Sequence, residues 1–134
     1  MSYQSLSEKL SLVTNLIEIA KADGFVNLSE VSYIFWTSQQ LQLSELELER
    51  LFEKAAPLAV PISTGERVEV FHKCLTIVAI DNNLSEPEFD KCAQIAKDLR
   101  LEDKRVATSF ELVRAKKGDL ISLNELQSEF GLTF

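Results

Sequence analysis

The sequence contains few of the residues that build disulfide-linked domains, β-sandwiches or cysteine–histidine metal clusters. It has two cysteines, one histidine and no Cys-x-x-Cys, so Cys74 and Cys92 are predicted to be buried free thiols. Four glycines and three prolines leave little room for the many tight turns of a sandwich. No apolar run approaches the ~20 residues that cross a bilayer, and no signal peptide is recognisable. We therefore expect a cytoplasmic protein without direct membrane insertion.

Basic residues are also scarce. The chain has 14 Lys and Arg against 21 Asp and Glu, which gives a net charge of −7. Binding to nucleic-acid phosphates requires clustered Lys and Arg, so we expect no nucleic-acid partner. A negative balance is compatible with cations or basic partners, and it also favours solubility.

Helix-forming residues in recurring apolar patterns make up most of the chain. The length of 134 residues fits one domain with a sizeable core, and Leu, Glu, Lys and Ala favour helices. Six segments open with Ser or Asn followed three residues later by Glu, the capping-box pattern, and a further helix begins near Glu102. The six pairs are Ser5–Glu8, Asn27–Glu30, Ser44–Glu47, Ser63–Glu66, Ser85–Glu88 and Ser122–Glu125. The sequence predicts an all-α, single-domain bundle of about seven helices over residues 1–134, the last at 122–130.

The apolar spacing predicts which residues face the core. We expect inward positions on the second and third helices, in the loop from Pro57 to Ser63, and in the C-terminal tail. For the second helix these are Leu28, Val31, Ile34, Phe35, Ser38 and Leu41; for the third they are Leu48, Leu51 and Phe52; for the loop, Leu58, Val60 and Ile62; for the tail, Leu123, Leu126, Phe130, Leu132 and Phe134.

The chain also repeats itself. Residues 16–52 align with residues 74–110 without a gap, at an offset of 58 residues. The matched positions fall at helix starts and turns, so we predict an internal duplication of a three-helix unit, with copies at about 5–55 and 64–116. Each unit is too small to bury its own apolar face, so the two copies are expected to pack around a pseudo-twofold axis.

The duplicated turns carry the candidate site. Asp23 and Asp81 each follow the end of a helix, where the helix dipole disfavours an acid by roughly 0.3–1 kcal/mol. Two explanations stay open: Asp is a good turn former, or each carboxylate binds a divalent cation together with helix-end carbonyl oxygens. Glu30 and Glu88 have two explanations of their own: helix capping, which alone accounts for them, or a metal role in which they turn towards the aspartate. Oxygen ligands of this kind suit Mg²⁺, Ca²⁺ or Mn²⁺.

Other side chains are weaker candidates. Three further acids, Glu18, Glu86 and Asp90, lie near the turns. Tyr33 and Trp36 are one turn apart on the second helix, where they either pack on a neighbouring helix or mark the interface with a protein partner or a second copy in a homodimer. No phosphate loop, nucleophile motif or metal cluster of His and Cys is present, so no enzyme is expected; the alternative is a metal-dependent enzyme in which Asp and Glu alone suffice for catalysis.

The first turn resembles a known family. The stretch from Ala20 to Val26, Ala-Lys-Ala-Asp-Gly-Phe-Val, is followed by Glu30 and by Leu41-x-Leu43-Ser44-x-x-Glu47. This pattern is similar to the TerB-like (tellurite resistance protein B) domain, and the resemblance covers roughly residues 10–115. The second copy, from Ile80 to Asn83, lacks the Ala-Asp-Gly form.

The resemblance implies an all-helical, internally duplicated fold and a role in tellurite or other stress responses. It also implies divalent metal bound by acids, here Asp23, Glu30, Asp81 and Glu88. The leading hypothesis is therefore a non-enzymatic, TerB-like cation-binding domain. The alternative is a protein-interaction or scaffold module that uses Tyr33, Trp36 or the apolar tail, with acidic turns that are purely structural.

Overall fold

A computed structural model describes residues 5–24, 26–80, 84–116 and 119–132. Within those ranges the chain forms seven α-helices and no β-strand, which confirms the predicted helical bundle. None of these helices is long and apolar enough to cross a membrane. The helices are α1 (Leu6–Lys21), α2 (Leu28–Gln40), α3 (Glu45–Glu53), α4 (Thr64–Ala79), α5 (Glu86–Asp98), α6 (Asp103–Lys116) and α7 (Leu123–Glu129).

Side-chain caps set the helix starts. In α1, α2, α3 and α7 the capping residue accepts a hydrogen bond from the third helical N–H, and the Glu at that position accepts one from the capping residue's N–H. Both backbone donors would otherwise lack an intrahelical partner. In α4 and α5 the capping serine accepts the first of these bonds. The capping residues are Ser5, Asn27, Ser44, Ser63, Ser85 and Ser122, as the sequence predicts.

Two central helices hold the bundle together. Helix α1 packs against α2, α3, α4 and α5, and α4 packs against α1, α5, α6 and α7. Both are buried along most of their length, with Leu16 and Leu75 fully inaccessible. Phe71 of α4 lies 6.1 Å from Phe110 and 6.0 Å from Phe130, measured between ring centroids. The Phe130 ring meets Phe71 edge-on, so the tail packs onto the body as predicted as far as Leu132; Phe134 lies outside the described residues.

The helix bounds recur at one spacing. Helices α1 and α4 each have 16 residues and α2 and α5 each have 13, and within each pair the starts lie 58 positions apart. Gln42 and Arg100, which follow α2 and α5 at the same spacing, both have positive φ angles, 63° and 60°. The internal duplication nevertheless stays a prediction, since recurring bounds do not establish a common origin.

The inward face predicted for α2 and α3 is partly wrong. Leu28, Val31, Phe35 and Phe52 are exposed rather than buried. The buried residues of α2 are instead Glu30, Ile34, Thr37 and Ser38. They follow helical spacing, so the buried face is rotated away from the apolar stripe towards polar residues. Helix α3 ends at Glu53, and the apolar stripe on α2 extends beyond what it covers.

The loop between α3 and α4 also differs from the prediction at two positions. Leu58 and Ile62 are exposed, whereas Val60 packs against the core as expected. Hydrogen bonds from the loop backbone to side chains of α1 help to hold the loop on that helix. The N–H of Ala56 donates to Thr14 Oγ1 at 3.1 Å, and that of Ala59 donates to Ser11 Oγ at 3.0 Å.

Candidate functional site

The first acidic turn directly follows α1. The helix ends at Lys21 with Ala22 as its C-cap, and Asp23 comes next, half-buried. Gly24 has a φ angle of 101°, a left-handed conformation that favours glycine. The turn therefore places a carboxylate at the negative end of the α1 dipole.

Glu30 lies beyond this turn, in the first turn of α2. Its Oε1 accepts a hydrogen bond from the Asn27 N–H at 3.1 Å, and its own N–H donates to Asn27 Oδ1 at 2.9 Å. The residue is only 1% exposed. Capping therefore directs one oxygen of the Glu30 carboxylate towards the backbone at the start of α2, as the explanation by helix capping requires.

Glu88 has the corresponding place at the start of α5. It is 2% exposed, and its N–H donates to Ser85 Oγ at 3.3 Å. Asp81, the remaining predicted ligand, lies outside the described residues. Among the residues that are described, no group of three or more His, Cys, Asp or Glu side chains is arranged to hold a metal ion.

Two of the weaker acidic candidates form ion pairs between helices. Glu18 Oε2 lies 2.8 Å from Lys91 Nζ, which links α1 to α5. Glu86 Oε1 lies 3.1 Å from Arg114 Nη2, which links α5 to α6. Asp90 is exposed on α5. Both pairs are partly solvated, so each contributes little to stability.

The two aromatic candidates on α2 have different environments. Tyr33 and Trp36 stack with ring centroids 6.2 Å apart. Tyr33 is half-buried; burial raises the pKa of its hydroxyl, and a hydrogen bond with Thr76 of α4 partly offsets that effect. Trp36 is 54% exposed. Tyr33 thus belongs to the packing between α2 and α4, whereas Trp36 presents its ring to solvent.

Neither His72 nor the cysteines form a nucleophilic site. His72 Nε2 lies 2.8 Å from the Ile121 carbonyl oxygen, and burial lowers the pKa of its imidazole. Cys74 and Cys92 are buried free thiols, as predicted. Burial raises the pKa of Cys92, and the neighbouring Cys74 adds to that effect. A thiol in such surroundings is a poor nucleophile.

An exposed apolar face lies on α2, of which sequence reasoning identified only Trp36 as an interface candidate. Leu28, Val31, Phe35 and Trp36 are exposed by 81%, 40%, 39% and 54%. Their spacing of three, four and one residues places them on one side of the helix. We call these four residues the α2 apolar face. One available indication was Pro57, which follows α3 closely and limits how far that helix can extend over α2.

Comparisons with known proteins identify no relative of this chain. No family model, no curated protein and no solved structure matches the chain. The resemblance to the TerB-like domain therefore stays a prediction from the motif at Ala20 to Val26.

Proposed function

We propose that the protein is a non-catalytic interaction module that binds a protein partner through the α2 apolar face. The observation that carries this proposal is the exposure of four large apolar side chains on one side of a single helix. Isolated exposed apolar residues are common on protein surfaces, whereas a contiguous patch of them favours association.

The composition of the face supports this role. Trp36 and Phe35 are large and rigid, and aromatic anchors of this kind dominate the energetics of many interfaces. The backbone beneath them is held by the cap at Asn27 and by the packing of Ile34, which is fully buried. The acidic turns are structural in this proposal, because they end α1 and start α2.

Site-specific photo-crosslinking in the cell that produces the protein tests this function. A photoreactive residue at Ser32 would stand among Leu28, Phe35 and Trp36, because Ser32 is exposed on that side of α2. Asp90 is the matched control, since it is exposed and occupies the corresponding position of α5. We expect a crosslinked partner from position 32 and not from position 90, and we expect Trp36→Ala to reduce its yield.

Two outcomes would contradict the interaction module. One is the absence of any crosslink from position 32 while the protein remains folded by circular dichroism. The other is the same set of crosslinked proteins from positions 32 and 90, which would indicate collision without specific binding.

A second candidate function is weak divalent-cation binding by a TerB-like domain. The observation that favours it is the burial of Glu30 and Glu88, each at most 2% exposed, at the starts of α2 and α5. Removing a carboxylate from water is costly, and a nearby cation would lower that cost. Asp23 and Asp81 would supply the other carboxylates in this proposal, which extends to a role in tellurite or another stress response.

Metal titration followed by amide NMR tests the second candidate. Cation binding would shift the amides around Asp23 and Asp81 in a saturable way with Mg²⁺, Ca²⁺ or Mn²⁺, and Asp23→Asn would weaken the response. Glu53→Gln removes an exposed acid of α3 and serves as the control. Unchanged amide positions at millimolar metal would remove this function and leave the interaction module unaffected.

A further inference from the structure

A groove between α2 and α3 adjoins the α2 apolar face. Its volume is about 320 Å³. The apolar lining consists of Val31 and Phe35 of α2 with Leu48 and Phe52 of α3. Leu48 is 7% exposed and forms the floor, whereas Phe52 is 36% exposed and stands on the side. The groove is therefore an apolar channel bordered by two helices and open to solvent.

The corresponding surface of the second half is also a groove, of about 360 Å³, and its lining includes Ala93, Val106 and Phe110. Phe89 of α5 stands 58 positions after Val31 and is 2% exposed. The Phe110 ring meets it edge-on at 5.2 Å, and the Arg114 guanidinium lies 4.2 Å from its centroid. Arg114 lies over Phe89 because α6 continues to Lys116.

The first half has only part of that cover, because Phe52 stands at the position of Phe110 whereas Arg114 has no counterpart of its kind. Helix α3 ends at Glu53, and the position that corresponds to Arg114 is Ala56, in the loop. Leu28 takes the position of Glu86, the acid that pairs with Arg114 in the second half. The groove on α2 and α3 is more apolar than its counterpart, because Phe35 and Leu48 stand where the α5–α6 groove has Ala93 and Val106.

Charge around the groove identifies the kind of molecule that would cover it. Glu45 and Glu49 are exposed and line the groove on its α3 side. Helix α2 contains no Lys or Arg, and α3 has four glutamates and a single Arg50. A second copy of this chain would bring two acidic borders together, which disfavours self-association. A cationic surface is the complementary one.

We propose that the α2–α3 groove binds a basic amphipathic helix of another protein. Apolar residues spaced three and four apart on that helix would contact Val31, Phe35 and Phe52, as helix-in-groove recognition requires. Lys or Arg beside the apolar stripe would pair with Glu45 and Glu49. This proposal rests on the interaction-module function and specifies the class of partner.

Selection from a displayed peptide library tests the proposal. The library consists of amphipathic helices of about 18 residues, long enough to fold on binding. Their apolar stripe is constant, and their flanking positions vary among Lys, Glu, Gln and Ser. Binding of the recovered peptides to the full chain is measured by fluorescence anisotropy at low and high salt. We expect Lys to dominate the flanking positions, with weaker binding at high salt.

Matched variants assign the binding to the groove. Phe35→Ala with Phe52→Ala removes two partly exposed rings and should weaken binding at least about tenfold, the factor that 1.4 kcal/mol represents. Glu45→Lys with Glu49→Lys should weaken the Lys-flanked peptides and favour Glu-flanked ones. Ile62→Ala is the control, because Ile62 is 94% exposed and lies outside the groove lining, and it should leave binding unchanged.

The experimental outcomes distinguish a failure of helix docking from a failure of the interaction module. Groove-dependent peptides without a preference for Lys would overturn the basic partner and leave the interaction module standing. A partner crosslinked from Ser32, together with no groove-dependent peptide, would overturn helix docking alone. Absence of both would overturn both proposals. A dimer of the chain alone that Phe35→Ala dissociates, seen by sedimentation, would replace the helix with a second copy.

Discussion

Burial lowers the pKa of His72 and makes it a pH-sensitive residue. Its Nε2 lies 2.8 Å from the Ile121 carbonyl oxygen, which connects α4 to the segment before α7. The desolvation that lowers the pKa outweighs the opposing effect of this hydrogen bond, and the nearby Lys73 also lowers it. The neutral imidazole is therefore favoured in the folded state relative to the unfolded one.

We expect His72 to reduce stability at mildly acidic pH. Above about pH 6.5, the ordinary pKa of histidine, both folded and unfolded states hold it neutral. As pH falls through that value, the unfolded state binds the proton first, so the free energy of unfolding decreases. Urea denaturation between pH 7.5 and 5.5, values on either side of that pKa, should show a larger loss for the wild type than for His72→Gln. Equal losses would show that His72 does not contribute.

Cys74 and Cys92 are expected to resist thiol reagents in the folded protein. Both are fully buried, and the raised pKa of Cys92 keeps its thiol protonated at neutral pH. Labelling with a chromogenic disulfide reagent should be slow in buffer and complete in denaturant. Native labelling as fast as that of the unfolded chain would contradict the packing around α4 and α5.

Among the connecting segments, the loop between α3 and α4 depends on two hydroxyl groups of α1. Ser11 and Thr14 are 2% and 4% exposed, and each accepts a backbone N–H from the loop. Loss of such an acceptor leaves a partly buried donor without its partner, and this typically costs more than the hydrogen bond itself contributes.

We expect Ser11→Ala to lower the free energy of unfolding by about 1–2 kcal/mol, because it removes the acceptor for the Ala59 N–H. Chemical denaturation with a constant m-value would measure the change. Ser7→Ala, at an exposed position of the same helix, should change the free energy by less than about 0.5 kcal/mol. Equal effects of the two substitutions would refute the anchoring role of Ser11.

The short α3 has a functional consequence in both proposals. Because it ends at Glu53, it places no side chain over Val31 of α2 in the way that Arg114 of α6 stands over the corresponding Phe89. Grooves lie both between α2 and α3 and between α5 and α6, and the first is lined by the larger apolar side chains.

Considered as a whole, the bundle has one core shared by both halves. Helices α1 and α4 contact each other, and α1 also packs on α5. Two contacts between the halves occur at matching positions: Tyr33 with Thr76, and Lys91 with Glu18. Each residue of the second pair is 58 positions from its counterpart in the first. This arrangement is compatible with the predicted pseudo-twofold, and it makes independent folding of either half unfavourable.

We expect a single cooperative unfolding transition. Trp36 is the only tryptophan and reports on the first half, whereas Leu126 is fully buried in α7 beside the second half. Leu126→Ala should destabilise the protein by about 2–5 kcal/mol. The shift in denaturation midpoint should be the same by Trp36 fluorescence and by far-UV circular dichroism. A fluorescence midpoint that stays unchanged would show that the halves unfold separately.

The sequence alone determined the helices and their order. Capping residues such as Asn27 and Ser44 act through atoms within three residues of themselves, so local patterns were enough to place the helix starts. The buried thiols and the buried face of α7 were also predicted. The predicted metal ligands and the TerB-like resemblance rest on the sequence alone, and Asp81 lies outside the described residues.

The tertiary structure decided which apolar residues are buried. An apolar stripe identifies a helix face that avoids water, but the length and position of neighbouring elements determine whether that face is covered. On α2 the covered face carries Glu30, Thr37 and Ser38, and the stripe at Val31 and Phe35 stays open. The exposed face and the groove beside it depend on how α3 packs and where it ends, and periodicity within α2 contains no information about either.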